Sequence, residues 1–185
     1  AETPDYLPIK GKHRFNQIIL PDNVKNEIFD ALKIIECRDL IYNKWGFGEI
    51  DAIPRSVLNF YGPPGTGKTM LARGVPTILP EMTPEEQLET SMIYSLIGRL
   101  SSQRPIIKER PFRQVSRRTS PAALLGGGYE PLPGEISLAC NGILFMDEFL
   151  EADRAQIELL RKPMEEKKIT IIRRSKPYTF PAKFT

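Results

Sequence analysis

Cysteine and histidine are nearly missing from this 185-residue chain, which holds two of the first and one of the second. Cys37 and Cys140 lie 103 residues apart and His13 stands alone. That spacing gives no basis for a zinc centre or a His-based catalytic triad. Both thiols read as reduced side chains of the kind usually found buried. Long apolar runs are missing too, since nothing approaches the roughly 20 residues a membrane helix needs. Residues Ala1 to Lys10 also lack the charged start and apolar stretch of a secretory leader. The expectation is a cytoplasmic protein with no membrane partner. What remains is one domain's worth of chain, long enough to bury roughly 70% of its unfolded surface without staples.

Net charge is only +3, but it is unevenly spread. Arg99 to Arg118 holds seven Lys/Arg against Glu109, and Arg161 to Lys176 holds seven against Glu165 and Glu166. Two segments of +6 and +5 therefore sit on a body of −8. Such runs are either solvated faces or the footprint of a polyanion.

The first twenty residues read as an extended arm, and 21–185 as a single α/β core. After Pro21, the residues Val24, Ile28, Ala31, Leu32 and Ile35 recur at helical spacing, which predicts an amphipathic helix over Asp22 to Cys37. A loop follows from Trp45 to Pro54, then a short apolar strand at Ser56 to Tyr61. A helix is expected from about Lys68 to Ile78. The next has its start written out: Thr83 as N-cap, Pro84 in the first turn, Glu86 three residues after the cap, then Leu88, Met92 and Leu96. Gly98 ends it. Gly126 to Gly128 reads as a flexible joint, with another at Pro131, Pro133 and Gly134. Gly142 to Met146 is a buried-type strand, and Ala152 to Arg161 a helix with Ile157, Leu159 and Leu160 inward. Lys168 to Ile172 and Tyr178 to Phe180 flank a polar tip, a hairpin over about 167–180. Strands alternating with helices predict an α/β fold with a parallel sheet.

Gly62 to Thr69, GPPGTGKT, fits the phosphate loop G-x-x-x-x-G-K-[ST] at every fixed position. A chance match in a chain of this length has a probability on the order of 1%. Gly62, Pro63, Pro64, Gly65, Thr66, Gly67, Lys68, Thr69 and Met70 form the expected nucleotide-binding set. Backbone N–H groups and a helix N-terminus face the phosphates, Lys68 reaches the outer ones, and the Thr69 hydroxyl ligates magnesium. Such a loop needs an acid at the end of a buried strand, and GILFMDE supplies it 78 residues after Thr69. Asp147 is the expected Mg²⁺ group. Glu148 orients and deprotonates the attacking water, so Glu148 and Lys68 are the catalytic candidates. The guanine motif N-K-x-D is not completed after Asn43 and Lys44, nor G-x-G-x-x-G after Gly46 and Gly48, so ATP is the expected nucleotide.

Those residues, with RPFR at Arg110 to Arg113, SPAALLGGG at Ser120 to Gly128, PGEISLACNGILFMDEF at Pro133 to Phe149 and LLRKPMEEKKITIIRR followed by YTFPAKF, resemble the magnesium-chelatase-like AAA+ ATPases of the ComM type. The resemblance covers about Gly62 to Phe184 and implies a three-layer α/β/α P-loop core. It further implies a ring-forming, hexameric motor, with DNA as the load of the ComM-type branch. Two stretches depart from it. QVSRRT at Gln114 to Thr119 replaces an A-P-H-H-T-type segment, and Pro4 to Tyr61 is instead similar to the start of ordinary AAA ATPases. The resemblance places the sensor-1 strand, arginine finger and lid after Thr185, so the expected core is partial and without a lid domain.

Arg173, Arg174 and Lys176 stand at the predicted hairpin tip and are the candidate nucleic-acid contacts, gripping phosphates without reading sequence. Tyr178 and Phe180 are expected to pack the hairpin on the core, leaving no aromatic ladder for bases. The leading expectation is a Mg²⁺-dependent ATPase that remodels DNA. The alternatives are a chelatase-type motor acting on a protein partner and a nucleotide-binding module with little turnover.

Overall fold

Pro21 opens the first helix, accepting the Lys25 amide at 3.1 Å. The chain is described by a computed structural model over residues 15, 20–37, 44, 68–103, 105–147 and 154–185. It divides into two compact units, one on Gly11–Pro80 and one on Glu81–Phe184. The predicted strand at 56–61 and loop at 45–54 lie outside the described residues.

In the Gly11–Pro80 unit, helix α1 spans Asp22–Glu36. Ile28 and Leu32, four apart and so on one face, are buried. Phe15 is buried as well and meets Phe29 edge-on at 5.3 Å between ring centres. Helix α2 is shorter than the predicted 68–78: it spans Lys68–Gly74 and tightens into a 3₁₀ turn at Val75–Thr77. Pro76 is the reason, because it has no N–H to continue the α-helical ladder. The Thr77 hydroxyl donates to the Gly74 carbonyl at 2.7 Å and completes the turn.

The Glu81–Phe184 unit begins with helix α3, Pro84–Leu96. Its capping box forms as predicted: Thr83 accepts from the Glu86 amide at 3.3 Å, and Glu86 accepts from the Thr83 amide at 3.0 Å. The apolar residues that mark the helix in the sequence do not form its buried face. Leu88, Met92 and Leu96 point outward, 59, 62 and 57% exposed, while Thr90, Ser91, Ile93 and Tyr94 are buried. Distant partners make this possible. The Ser91 hydroxyl accepts from the Ile107 amide at 2.9 Å, and the Tyr94 hydroxyl donates to the Leu138 carbonyl at 3.0 Å. Buried polar groups so satisfied cost little. Gly98 follows the helix at φ +68°, as a C-terminal stop requires.

Strand β1, Phe112–Val115, pairs in parallel with β4, Ile143–Met146. Between them run helix α4 (Pro121–Leu125), the two-residue strands β2 (Gly126–Gly127) and β3 (Leu132–Pro133), and helix α5 (Glu135–Leu138). The predicted glycine joint is thus a small antiparallel ribbon, with Gly126 against Pro133 and Gly127 against Leu132. Gly142 immediately precedes β4 where only glycine fits, since a Cβ there would run into the backbone of Pro111. Strand β1 escaped prediction because FRQV has a charged, polar centre. Arg113 is nonetheless admitted to the interior by a two-pronged bond to Glu135 at 2.6 and 2.8 Å. Burial works against the charged guanidinium, but Glu135 outweighs it and holds Arg113 protonated.

Helix α6, Arg154–Glu166, continues past the predicted end and through a buried Pro163. Leu160 faces inward and Leu159 packs beside it, but Ile157 is 39% exposed rather than inward. The hairpin follows as strands β5 (Lys168–Arg173) and β6 (Lys176–Pro181). Its base is seated by the paired Ile169 and Phe180, both buried, while every residue from Ile172 to Thr179 is exposed. Two apolar clusters fill the unit. Met82, Ile93, Tyr94, Ile107, Leu138 and Cys140 form one; Val115, Leu124, Ile136, Leu160, Ile169 and Ala182 form the other. Among the described residues no helix is long and apolar enough to cross a membrane.

Candidate functional site

The apolar run ILFM becomes β4, and the residue after it, Asp147, emerges at the C-terminal end of a parallel strand pair. Open α/β sheets bind ligands at that edge. The Asp147 amide donates to the Val115 carbonyl at 3.0 Å, so the pairing with β1 carries on to the acid itself. Its side chain is half-buried, and its Oδ2 accepts from the Gln114 carboxamide at 3.4 Å. The strand is held from both sides. Phe145 stacks on Phe112 of β1 at 5.9 Å, and Met146 packs against the second apolar cluster.

Gln114 went unnoticed in the sequence. It opens QVSRRT, the segment that departs from the family pattern; Gln114 and Val115 end β1, and Ser116 to Thr119 form the turn after it. The Ser116 amide donates to the Thr119 hydroxyl at 3.1 Å. The Gln156 carboxamide of α6 then donates to the carbonyls of Arg117 at 2.7 Å and Thr119 at 3.0 Å. One glutamine thus ties the turn after β1 to α6, while the other reaches the acid after β4.

The start of β4 is fixed by a polar knot. Glu89 of α3 accepts from Lys183 Nζ at 2.8 and 3.1 Å and from Asn141 Nδ2 at 2.9 Å. The Asn141 amide donates to the Lys183 carbonyl at 2.6 Å, and the Asn141 carbonyl accepts from Arg110 at 2.7 Å. Burial alone would raise the Glu89 carboxyl, but the Lys183 and Asn141 donors outweigh it and hold it below the ordinary range.

Of the predicted nucleotide set, Lys68 opens α2, Thr69 follows half-buried, and Met70 is exposed. A hydroxyl in the first turn of a helix after a glycine loop is where a magnesium ligand of this motif belongs. Gly62 to Gly67, the Lys68 side chain and Glu148 lie outside the described residues. Among the described residues no three or more His, Cys, Asp and Glu form a group able to hold a metal by themselves.

The predicted basic residues do come together. Arg173 and Lys176 are cross-strand partners, and Arg174 and Ser175 form the two-residue turn between them. Both turn residues have positive φ, +48° and +62°. That is the backbone of a type I′ hairpin. The Arg174 guanidinium lies over the Tyr129 ring, 4.2 Å from its centre. The expectation for the other aromatics holds in half: Phe180 is buried, whereas Tyr178 is 38% exposed.

Comparison with known proteins agrees with the fold and the motifs. The chain is 39% identical over 178 residues to the uncharacterized protein YifB of Salmonella typhimurium, covering 95% of this chain and 34% of that protein. It is 48% identical over 128 residues to the competence protein ComM of Haemophilus influenzae, covering 69% of this chain and 25% of that protein. The chain therefore spans about a quarter to a third of the length of these relatives. Among solved structures it is similar in fold to a chain of the magnesium chelatase BchI–BchD complex. The TM-score is 0.51 at 22% identity, over 67% of this chain and 43% of that one. The family model of magnesium chelatase, subunit ChlI, matches residues 48–185. With an α/β unit built on a parallel strand pair and relatives of the ComM and YifB kind, the chain belongs to the magnesium-chelatase-like AAA+ family.

Proposed function

We propose that this chain is the ATP-binding part of a Mg²⁺-dependent motor that spends hydrolysis on moving or remodelling DNA. The observation that carries the reading is that one sequence of this family holds both GPPGTGKT and an acid, Asp147, that stands at the C-terminal end of a parallel strand. The donors suit magnesium. A hydroxyl at Thr69 and a carboxylate at Asp147 are hard oxygens, and Mg²⁺ is ordinarily held by one or two such groups plus the phosphates. Bound with ATP, the ion would be held by Thr69 and Asp147 and would supply positive charge to offset the charge that builds up on the departing phosphoryl group.

In this reading the chain's own residues divide the work. Amides of Gly62 to Gly67 cradle the phosphates, and Lys68 meets the outer ones with a positive charge. Met70, exposed on the first turn of α2, borders the nucleotide. Glu148 takes a proton from the attacking water, with Asp147 kept in place by Gln114. An arginine donated by a neighbour in a ring is worth about 10³ to 10⁵ in rate for such motors, so the isolated chain is expected to turn over slowly. The ring, a hexamer by the family resemblance, is part of the proposal. DNA as the load is supported by the basic hairpin tip and the ComM-type resemblance.

The test is a pair of substitutions. Lys68→Ala is expected to lose ATP binding, and Glu148→Gln to keep binding while losing phosphate release. Undiminished ATP affinity in Lys68→Ala would refute the site.

A further inference from the structure

Tyr129 sits in the turn between β2 and β3 and is 83% exposed, more than any other large apolar side chain among the described residues. A guanidinium lies over the ring while most of its surface stays in water, the combination that a cation–π contact at an exposed site leaves. The cation is Arg174, from the tip of the β5–β6 hairpin. Arg173 approaches the same turn: a Cβ placed on Gly127 would stand 3.5 Å from its guanidinium. The tips of two hairpins far apart in sequence therefore meet. Together they present one aromatic ring and three cations, Arg173, Arg174 and Lys176, with Glu130 the single carboxylate in either turn.

The turn geometry adds to this. Positive φ at both central positions suits Asn-Gly best, and Arg-Ser holds it less easily. The result is that Arg174 is delivered onto Tyr129.

We propose that Tyr129 is a base-stacking residue for single-stranded DNA whose phosphates are held by Arg173, Arg174 and Lys176, an inference that rests on the DNA reading above. A single strand alternates flat bases with anionic phosphates, and this surface alternates a ring with guanidinium and ammonium groups. Every base has a π-face, so stacking on Tyr129 is indifferent to sequence. Duplex DNA hides its base faces within the stack and offers this ring nothing. An acidic peptide would use the cations and leave the ring idle.

The experiment measures binding of the full chain to a fluorescent oligothymidylate and to an abasic strand of equal length, at several salt concentrations. The wild type is expected to favour the oligothymidylate about tenfold. Tyr129→Ala removes that preference, and Tyr129→Trp keeps it. Arg173→Ala and Lys176→Ala weaken both strands alike and lower the salt slope. An unchanged preference in Tyr129→Ala overturns the stacking role and leaves the phosphate contacts intact. Tighter binding of duplex than of single strand overturns it as well. Absence of salt-dependent binding to either strand overturns the DNA reading together with the inference built on it.

Discussion

The Gln114 carboxamide donates to the Asp147 carboxylate at 3.4 Å across the ends of β1 and β4. A donor on the neighbouring strand orients the acid. Gln114→Met keeps the length of the side chain and removes the donor. The expected result is an increase of about tenfold in the Mg²⁺ concentration needed for half-maximal phosphate release. Thermal stability should stay within about 0.5 kcal/mol of wild type, because the site is at the surface. A magnesium titration of the two proteins, with a melting curve beside it, measures both quantities.

Gly142→Ala is a test of packing rather than chemistry. The added methyl group meets the Pro111 backbone, which is not free to move without losing the 2.8 Å bond from the Ile143 amide to the Pro111 carbonyl. Destabilisation of about 1–3 kcal/mol is expected. Urea unfolding followed by circular dichroism gives the value.

The two thiols should differ sharply in reactivity. Cys37 is exposed, while Cys140 is buried in the first apolar cluster, and burial pushes its thiol up to about 12. At pH 8 only about one Cys140 in 10⁴ is then thiolate, the reactive form. Titration with a thiol reagent is expected to label one cysteine in the native protein and two in denaturant, the native label mapping to Cys37 by peptide mass.

Glu89 sets a pH dependence. Its carboxyl titrates lower in the folded chain than in the unfolded one, so the unfolded state takes up a proton first as pH falls. Its contribution is therefore whole above the ordinary glutamate range and is lost as pH drops through the depressed folded value. Stability measured by urea unfolding should decline over that acid window, and Glu89→Gln should make the decline shallower.

What the sequence made legible was local. The α3 cap lies within four residues, the hairpin within fourteen, and the ILFM run announces a buried strand by itself. The phosphate loop and Asp147 were read from spacing and residue type alone. Strand β1 was hidden because its tolerance for Arg113 comes from Glu135, 22 residues later. The outward turn of Leu88, Met92 and Leu96 was hidden for a related reason. Ser91 and Tyr94 can go inside only because Ile107 and Leu138 meet their hydroxyls. Tyr129 carried no signal at all, since what marks it is a guanidinium 45 residues away.

The hairpin's foot and its tip stand in very different surroundings. From the seated pair Ile169 and Phe180 to the turn at Arg174 there are five residues, an arm of about 16 Å in an extended strand. The foot is fastened: the Ala182 amide binds the Lys167 carbonyl at 2.8 Å, and Lys183 is bolted to Asn141 and Glu89. Asn141 is two residues before β4. The foot of the hairpin is thus tied, through Lys183, Asn141 and Glu89, to the turn from which the Asp147 strand starts.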